Sequence, residues 1–402
     1  MPRFSIVIPT RNRARLLHYA ISSALAQRFD DYEVVVSDNF SRDDTAGVVE
    51  AMASRRIRYV RTDRILSMPA SWEFGLSHAR GEYVTFLCDD DALCPGLLPR
   101  VAEVLNDGRA RVVGWLGGTY VDETFVLSEM RKKLLLPTFT REVFEYRSEP
   151  RLAELFRLKG YGFPMLVNSV CNRDLIMPIR ARASRFFLGP SPDYATAAAI
   201  LSQIDSYLYL DEVLSLGGAT SQSIGMTAHH TQSEALGQYI AEFAEGELLR
   251  HVPLRTLTPM NNIADTLLQV REALGGRLLA YELDWAQYFV ACYRDLSRYQ
   301  QSGADMQKEL KQFFAVLDRQ PARIRQRVRA AIAAVEPKRV HAPIVIDCER
   351  AGLRDILDCA RFVETVPMNR KGRVKKAVVR LFGQRFGLRL IDLLRAAARL
   401  TV

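Results

Sequence analysis

Phe4 to Arg13 reads FSIVIPTRNR, a short apolar run stopped by Pro9 and followed at once by Thr10, two arginines and an asparagine. So brief a run, without polar alternation, suits a strand buried on both faces of a parallel sheet. Leu16, Leu17, Ala20, Ile21, Ala24 and Leu25 then recur at helical spacing, which makes a strand–helix unit. The pattern repeats. Glu33 to Ser37 is a second strand ending at Asp38; Val48, Val49 and Met52 mark a helix, and Ile57 to Val60 is a third strand. Trp72, Leu76 and Ala79 share a helical face, Gly81 ends it, and Tyr83 to Leu87 is a fourth strand running into Cys88, Asp89, Asp90 and Asp91. Another helix starts near Pro95, because proline is tolerated in a first turn. This alternation predicts an α/β domain with a mostly parallel sheet.

In open parallel sheets, ligands bind at the carboxyl ends of the strands, where loops converge and helix N-termini present free amides. Here those ends carry Pro9 to Arg13, then Ser37-Asp38-Asn39, then the three aspartates. Adjacent carboxylates need a counter-ion, and Mg²⁺ or Mn²⁺ held by one or two of them with substrate phosphates is a common solution. A solvated acidic turn capping the next helix is the competing reading.

Three stretches carry more than a bare acidic triplet. FSIVIPTRNR, VVVSDNFSRDDT (Val34 to Thr45) and ARGEYVTFLCDDDAL (Ala79 to Leu93), in this order and spacing, resemble the family 2 glycosyltransferases of the GT-A fold. The resemblance is good over residues 1–110 and looser to about residue 225. It implies a Rossmann-like, mostly parallel sheet, a nucleotide-diphosphate sugar donor, Mn²⁺ or Mg²⁺ on the diphosphate, and inversion at the anomeric carbon.

Carried over by residue, the resemblance puts Pro9, Thr10 and Arg13 in the loop lining the nucleotide, with Asn39 beside it. Asp38 matches the acid that accepts the imide N–H of uracil or thymine, which favours a UDP-sugar and admits a dTDP-sugar. Where the family often has an acid this chain has Cys88, so Asp89 or Asp90 is assigned to the ribose and Asp90 or Asp91 to the metal. Cys88 itself reads as a small buried residue at the strand end. Asp193, at a helix start after Gly189-Pro190-Ser191-Pro192, matches the general base that takes the acceptor's proton. His229 or His230, after the Gly/Ser/Thr-rich stretch from Gly217 to Thr227, could touch phosphate or complete the metal shell, against a surface pair at a domain junction. Asp43 and Asp44 read as caps of the second helix, and Trp72 as core rather than a sugar platform.

At 402 residues two domains are expected. The GT-A domain spans 1–230, with a nucleotide-sugar half 1–115 and an acceptor half 116–230. Helical periodicity dominates 231–402, a helical C-terminal domain.

The net charge of +9 is uneven: ten of the 55 basic residues and one of the 46 acids lie in 370–402, so the remainder is balanced. The body therefore offers no nucleic-acid footprint. The tail's apolar residues fall at helical spacing, which suits an anionic membrane surface or a terminal helix packed on its own domain. Six scattered cysteines without a CxxC pair, and no apolar run long enough for a membrane span, point to a cytoplasmic protein, peripheral on the inner face of the cell membrane if the tail docks there.

The acceptor is expected to be a glycan, a lipid-linked glycan or a small molecule, in surface glycan or glycoconjugate synthesis. Two alternatives compete: a sugar-phosphate nucleotidyltransferase, whose glycine-rich phosphate loop is missing from Pro9 to Arg13, and a non-catalytic scaffold of the same fold.

Overall fold

The computed structural model describes residues 1–223, 237, 239, 241–243, 248–334 and 344–366. Strands β1 (Phe4–Thr10), β2 (Tyr32–Asp38), β3 (Ile57–Arg61) and β4 (Tyr83–Phe86) run parallel in the order β3-β2-β1-β4. Every residue of β1 is buried, as its uninterrupted apolar run requires. Alternation through the sheet divides the strands between two cores. Val7, Val35, Val84 and Phe86 face Trp72 and Leu76 of α3 (Met68–His78). Phe4, Ile6, Ile8, Val34 and Val36 face α1 (Ala14–Leu25) and α4 (Leu97–Leu105) on the other side. The short α2 (Thr45–Ala51) connects β2 to β3.

Beyond β4 the sheet is mixed. β9 (Ser169–Asn172) is antiparallel both to β4 and to β6 (Val112–Val121). The fourteen-residue β10 (Ser206–Ala219) runs parallel to β6 with register shifts between Leu210 and Ser215, and also pairs antiparallel with β5 (Ala92–Leu93) and β8 (Val143–Arg147). Parallel pairing thus joins the first four strands, where helical crossovers return the chain to the same end, and β6 to β10; the other pairs are antiparallel. The connection from β8 to β9 passes through α5 (Ser148–Phe156), while α6 (Arg173–Ala183) and the alanine-rich α7 (Pro192–Gln203) lie between β9 and β10.

Helices α8 (Pro259–Leu274), α9 (Trp285–Gln301), α10 (Gln307–Asp318) and α11 (Ala322–Ala333) enclose a core containing Tyr288, Phe289, Phe313, Leu317 and Val328. α8 joins it to the sheet: Ala264 belongs to the helical core, while Ile263, Leu267 and Val270 belong to the core around α7.

Residues 344–366, expected with the helical domain, lie on the N-terminal domain instead. β11 (Ile344–Asp347) is antiparallel to β7 (Lys133–Leu136), and α12 (Ile356–Val363) packs on α1, β5 and β10. The reason is visible in Ile344-Val345-Ile346, a β-branched run that extends the sheet from its β7 edge. A fork from Arg28 to Glu364 at 2.9 and 3.0 Å fastens the end of this return, and Glu364 also accepts the Gly96 amide at 2.7 Å. Among the described residues, no helix is long and apolar enough to cross a membrane.

Candidate active site

The carboxyl ends of β1, β2 and β4 come together, and side chains distant in the sequence meet there. Thr10 stands opposite Asp38 in the β1–β2 register, and its hydroxyl donates to Asp89 Oδ2 at 2.8 Å. Arg13 donates from Nη1 to Asp89 Oδ1 at 2.8 Å, lies 3.9 Å from Asp90 Oδ2, and donates from Nη2 to the Gln222 carbonyl. Burial disfavours its charge, but Asp89 and Asp90 more than offset that and hold the guanidinium above its ordinary pKa. Pro9 is buried within β1, immediately before Thr10.

Asp38 is fully buried. Its Oδ1 accepts the Ser41 amide at 2.8 Å, its Oδ2 accepts the Tyr59 hydroxyl at 2.5 Å, and Arg61 Nε lies 3.5 Å from Oδ2. A carboxylate offers about four lone-pair sites, so these partners orient Asp38 without exhausting it. Burial and the Asp38 carboxylate together push the Tyr59 phenol up, keeping it a donor. Asn39 differs: its amide donates to the Leu66 carbonyl and accepts the Leu66 amide, both at 2.8 Å. It holds the loop beside the site with its side chain.

The acidic triplet divides its work. Asp89 is buried and accepts from Thr10 on one oxygen and from Arg13 on the other. Asp90 accepts the Ser223 hydroxyl, and Asp91 Oδ1 accepts the Gly218 amide at 2.9 Å. Ligand atoms of Cys88, Asp90 and Asp91 all lie within 4.8 Å of one another. Burial raises the pKa of Asp90, against Arg13, and raises that of Asp91 well above its ordinary value, with Asp90 adding to it. The Cys88 thiol is pushed up by burial, then by Asp91, Asp90, Asp89 and Asp193. Two close carboxylates and a thiol that all disfavour further negative charge make a donor set suited to a divalent cation. Asp90 and Asp91 fit that role; Asp89 lies outside this group and faces Thr10 and Arg13.

Gly218 explains how β10 reaches this turn. A β-carbon there would lie 1.8 Å from the Asp90 carbonyl oxygen, so only glycine permits the approach. Gly217 and Gly218 were visible in the sequence as part of a small polar stretch; Ser223 and the Gln222 carbonyl had no local signal. Tyr59 and Arg61, at the end of a different strand, were equally hidden.

Asp193 lies in the first turn of α7, half-buried and near enough to Cys88 for its charge to act on the thiol. Burial raises its pKa, opposed by the backbone amides of Tyr194 and of Asp193 itself. The loop before it is held from two sides. The Thr266 hydroxyl accepts the Ser191 amide at 3.0 Å, and the Tyr239 hydroxyl donates to the Pro190 carbonyl. Gly189 sits at φ +64°, and a β-carbon there would meet Thr266 Cα at 2.9 Å.

Other expectations resolve plainly. Trp72 stacks on Phe86 with ring centroids 5.2 Å apart and is core. Asp43 accepts the Ala14 amide at 2.9 Å and the Thr45 hydroxyl, so it braces α1 as well as the start of α2. Asp44 holds the N-cap position of α2 without a capping hydrogen bond. Cys88 is half-buried beside the carboxylates rather than fully enclosed. His229 and His230 lie outside the described residues, as do residues 370–402.

Residues 5–168 match the family described as glycosyl transferase family 2, and this part of the chain is similar to that family. Among curated relatives, the GalNAc(5)-diNAcBac-PP-undecaprenol beta-1,3-glucosyltransferase of Campylobacter jejuni is 42% identical over 117 residues, 28% of this chain and 38% of that one. The succinoglycan biosynthesis protein ExoO of Rhizobium meliloti is 31% identical over 156 residues, 37% of this chain and 45% of that one. The chain thus spans less than half the length of these relatives. S. aureus TarS 1-349 in complex with UDP-GlcNAc is a similar solved structure, at 16% identity, 75% of this chain, 90% of that one and TM-score 0.46.

Proposed function

We propose that the protein is an inverting, metal-dependent glycosyltransferase that moves a sugar from a nucleotide-diphosphate donor to a hydroxyl acceptor. The observation that carries this reading is the junction at Asp89: Thr10 and Arg13 lock the β1 loop to the acidic turn, setting Asp38 and the Asp90–Asp91 pair on one edge. A buried, acceptor-only carboxylate at Asp38 favours a base with an imide N–H, so UDP is the first choice and dTDP the second. Arg13, with a guanidinium at the end of β1, suits phosphate contacts.

Asp90 and Asp91 would hold Mn²⁺ or Mg²⁺, which when bound supplies neutralising charge at the departing diphosphate. Asp193 accepts the proton of the acceptor hydroxyl as its oxygen bonds to the anomeric carbon. One general base of this kind suits direct displacement, and hence inversion. The Campylobacter relative's name specifies a lipid-linked acceptor and the Rhizobium relative's names succinoglycan biosynthesis, which supports glycan assembly as the setting.

Ten basic residues in 370–402 would favour an anionic membrane by about 1 kcal/mol for each that reaches the surface. The protein would then work peripherally, on the cytoplasmic face where such donors are available.

Thermal unfolding across UDP-, dTDP- and GDP-sugars, each with and without Mn²⁺, tests the assignment. A ligand present at about 100 times its Kd stabilises by about 2.7 kcal/mol, and the expected result is a Mn²⁺-dependent rise in Tm for a UDP-sugar. No response to any nucleotide diphosphate would favour the non-catalytic scaffold.

A further inference from the structure

We infer that Cys88 is itself a ligand of the cation site, which makes it a mixed sulfur–oxygen site selective for a thiophilic divalent ion over Mg²⁺. This inference rests on the cation reading of Asp90 and Asp91 and goes beyond it. Three observations converge. The Cys88 sulfur and one oxygen each of Asp90 and Asp91 lie within 4.8 Å of one another, close enough to converge on one ion. All three are half-buried, so an ion can reach them from solvent. Finally, Cys88 stands apart from Cys94, Cys171, Cys292, Cys348 and Cys359, all of which are buried.

The chemistry of the donor set then decides the metal. Mg²⁺ requires hard oxygen ligands in a near-octahedral shell and dehydrates reluctantly, so it keeps several waters. A thiolate in the set penalises Mg²⁺ and rewards Mn²⁺ less than Co²⁺, Zn²⁺ or Cd²⁺, following ligand softness and the general order of divalent affinities. An all-oxygen triplet at this turn would discriminate much less. The strand end fixes the ligand's position: Leu87 is buried, and the Asp91 amide donates to the Cys88 carbonyl at 3.1 Å, closing the turn that brings Asp90 and Asp91 back toward the sulfur.

The test is optical and needs no acceptor. The full chain is titrated with Co²⁺, with and without UDP, and read for thiolate-to-cobalt charge-transfer absorption in the near ultraviolet. The expected result is a saturating band that is lost in Cys88→Ser and in Cys88→Asp. The second variant keeps saturable Mn²⁺ binding by calorimetry and gains affinity for Mg²⁺ relative to Mn²⁺. Circular dichroism of each variant establishes that it is folded. Saturable Co²⁺ binding without the band, or a band that survives Cys88→Ser, overturns the Cys88 assignment and leaves the carboxylate site standing. Absence of saturable binding of Co²⁺ and Mn²⁺ under both conditions overturns the cation reading together with it.

Discussion

Asp193→Asn lowers sugar transfer by about 10²–10⁴-fold, the usual contribution of a positioned general base, and leaves nucleotide affinity nearly unchanged. The amide keeps the shape of the side chain and its place in the first turn of α7 but cannot take a proton. The wild-type pH profile carries a second signature. Burial raises the Asp193 pKa, so the inactive protonated form persists to higher pH than for an ordinary aspartate, whose pKa is about 3.9. Activity at saturating donor and metal therefore rises with pH along an acid limb displaced upward, and the Asn variant lacks that limb. Steady-state rates against pH, with calorimetry for the nucleotide, check both points. Loss of nucleotide affinity in Asp193→Asn would place the residue with the donor and remove it as the base.

Gly218→Ala is expected to be the most damaging glycine-to-alanine change among the described residues. The added carbon would lie 1.8 Å from the carbonyl oxygen of Asp90. The clash is with backbone, so no rotamer change relieves it, and either β10 or the acidic turn must move. Overpacking of this kind costs about 3 kcal/mol or more, a fall in Tm of roughly 6–12 °C for a domain of this class. The hydrogen bond from the Gly218 amide to Asp91 should be lost with it, and metal-dependent stabilisation by UDP should disappear. Gly217→Ala is the matched control, since its β-carbon would sit 3.8 Å from Asp91 Oδ1, an ordinary contact. Equal melting temperatures for the two variants would show that β10 does not approach the turn so closely.

The first four strands were legible because burial on both faces leaves a plain signature, a short apolar run ending in polar residues. Phe4 to Thr10 and Tyr83 to Phe86 fall where that reading put them. The second half of the sheet was harder. β9 has four residues, and β10 changes register at Leu210 and Val213, so neither presents a clean period of two. β11 could not be placed from sequence, because pairing with β7 more than 200 residues earlier depends on where the helical region returns the chain. The site shows the same division. Asp38, Asp90, Asp91 and Asp193 stand out by type and position, whereas Ser223 and Tyr59 act through contacts 133 and 21 residues away. Asn39 was recognisable as a loop residue at the strand end, but its pairing with Leu66, 27 residues on, follows only from the fold.

The central claim is that Asp38 and the Asp90–Asp91 pair grip one nucleotide diphosphate and its cation across the ends of β1, β2 and β4. Crystals grown with UDP and Mn²⁺, measured for manganese anomalous scattering, test it most directly. The account predicts an anomalous peak within coordination distance of Asp90 and Asp91, bridged to the diphosphate, with the uracil imide facing Asp38. A nucleotide bound elsewhere, or a manganese peak remote from both carboxylates, would contradict it.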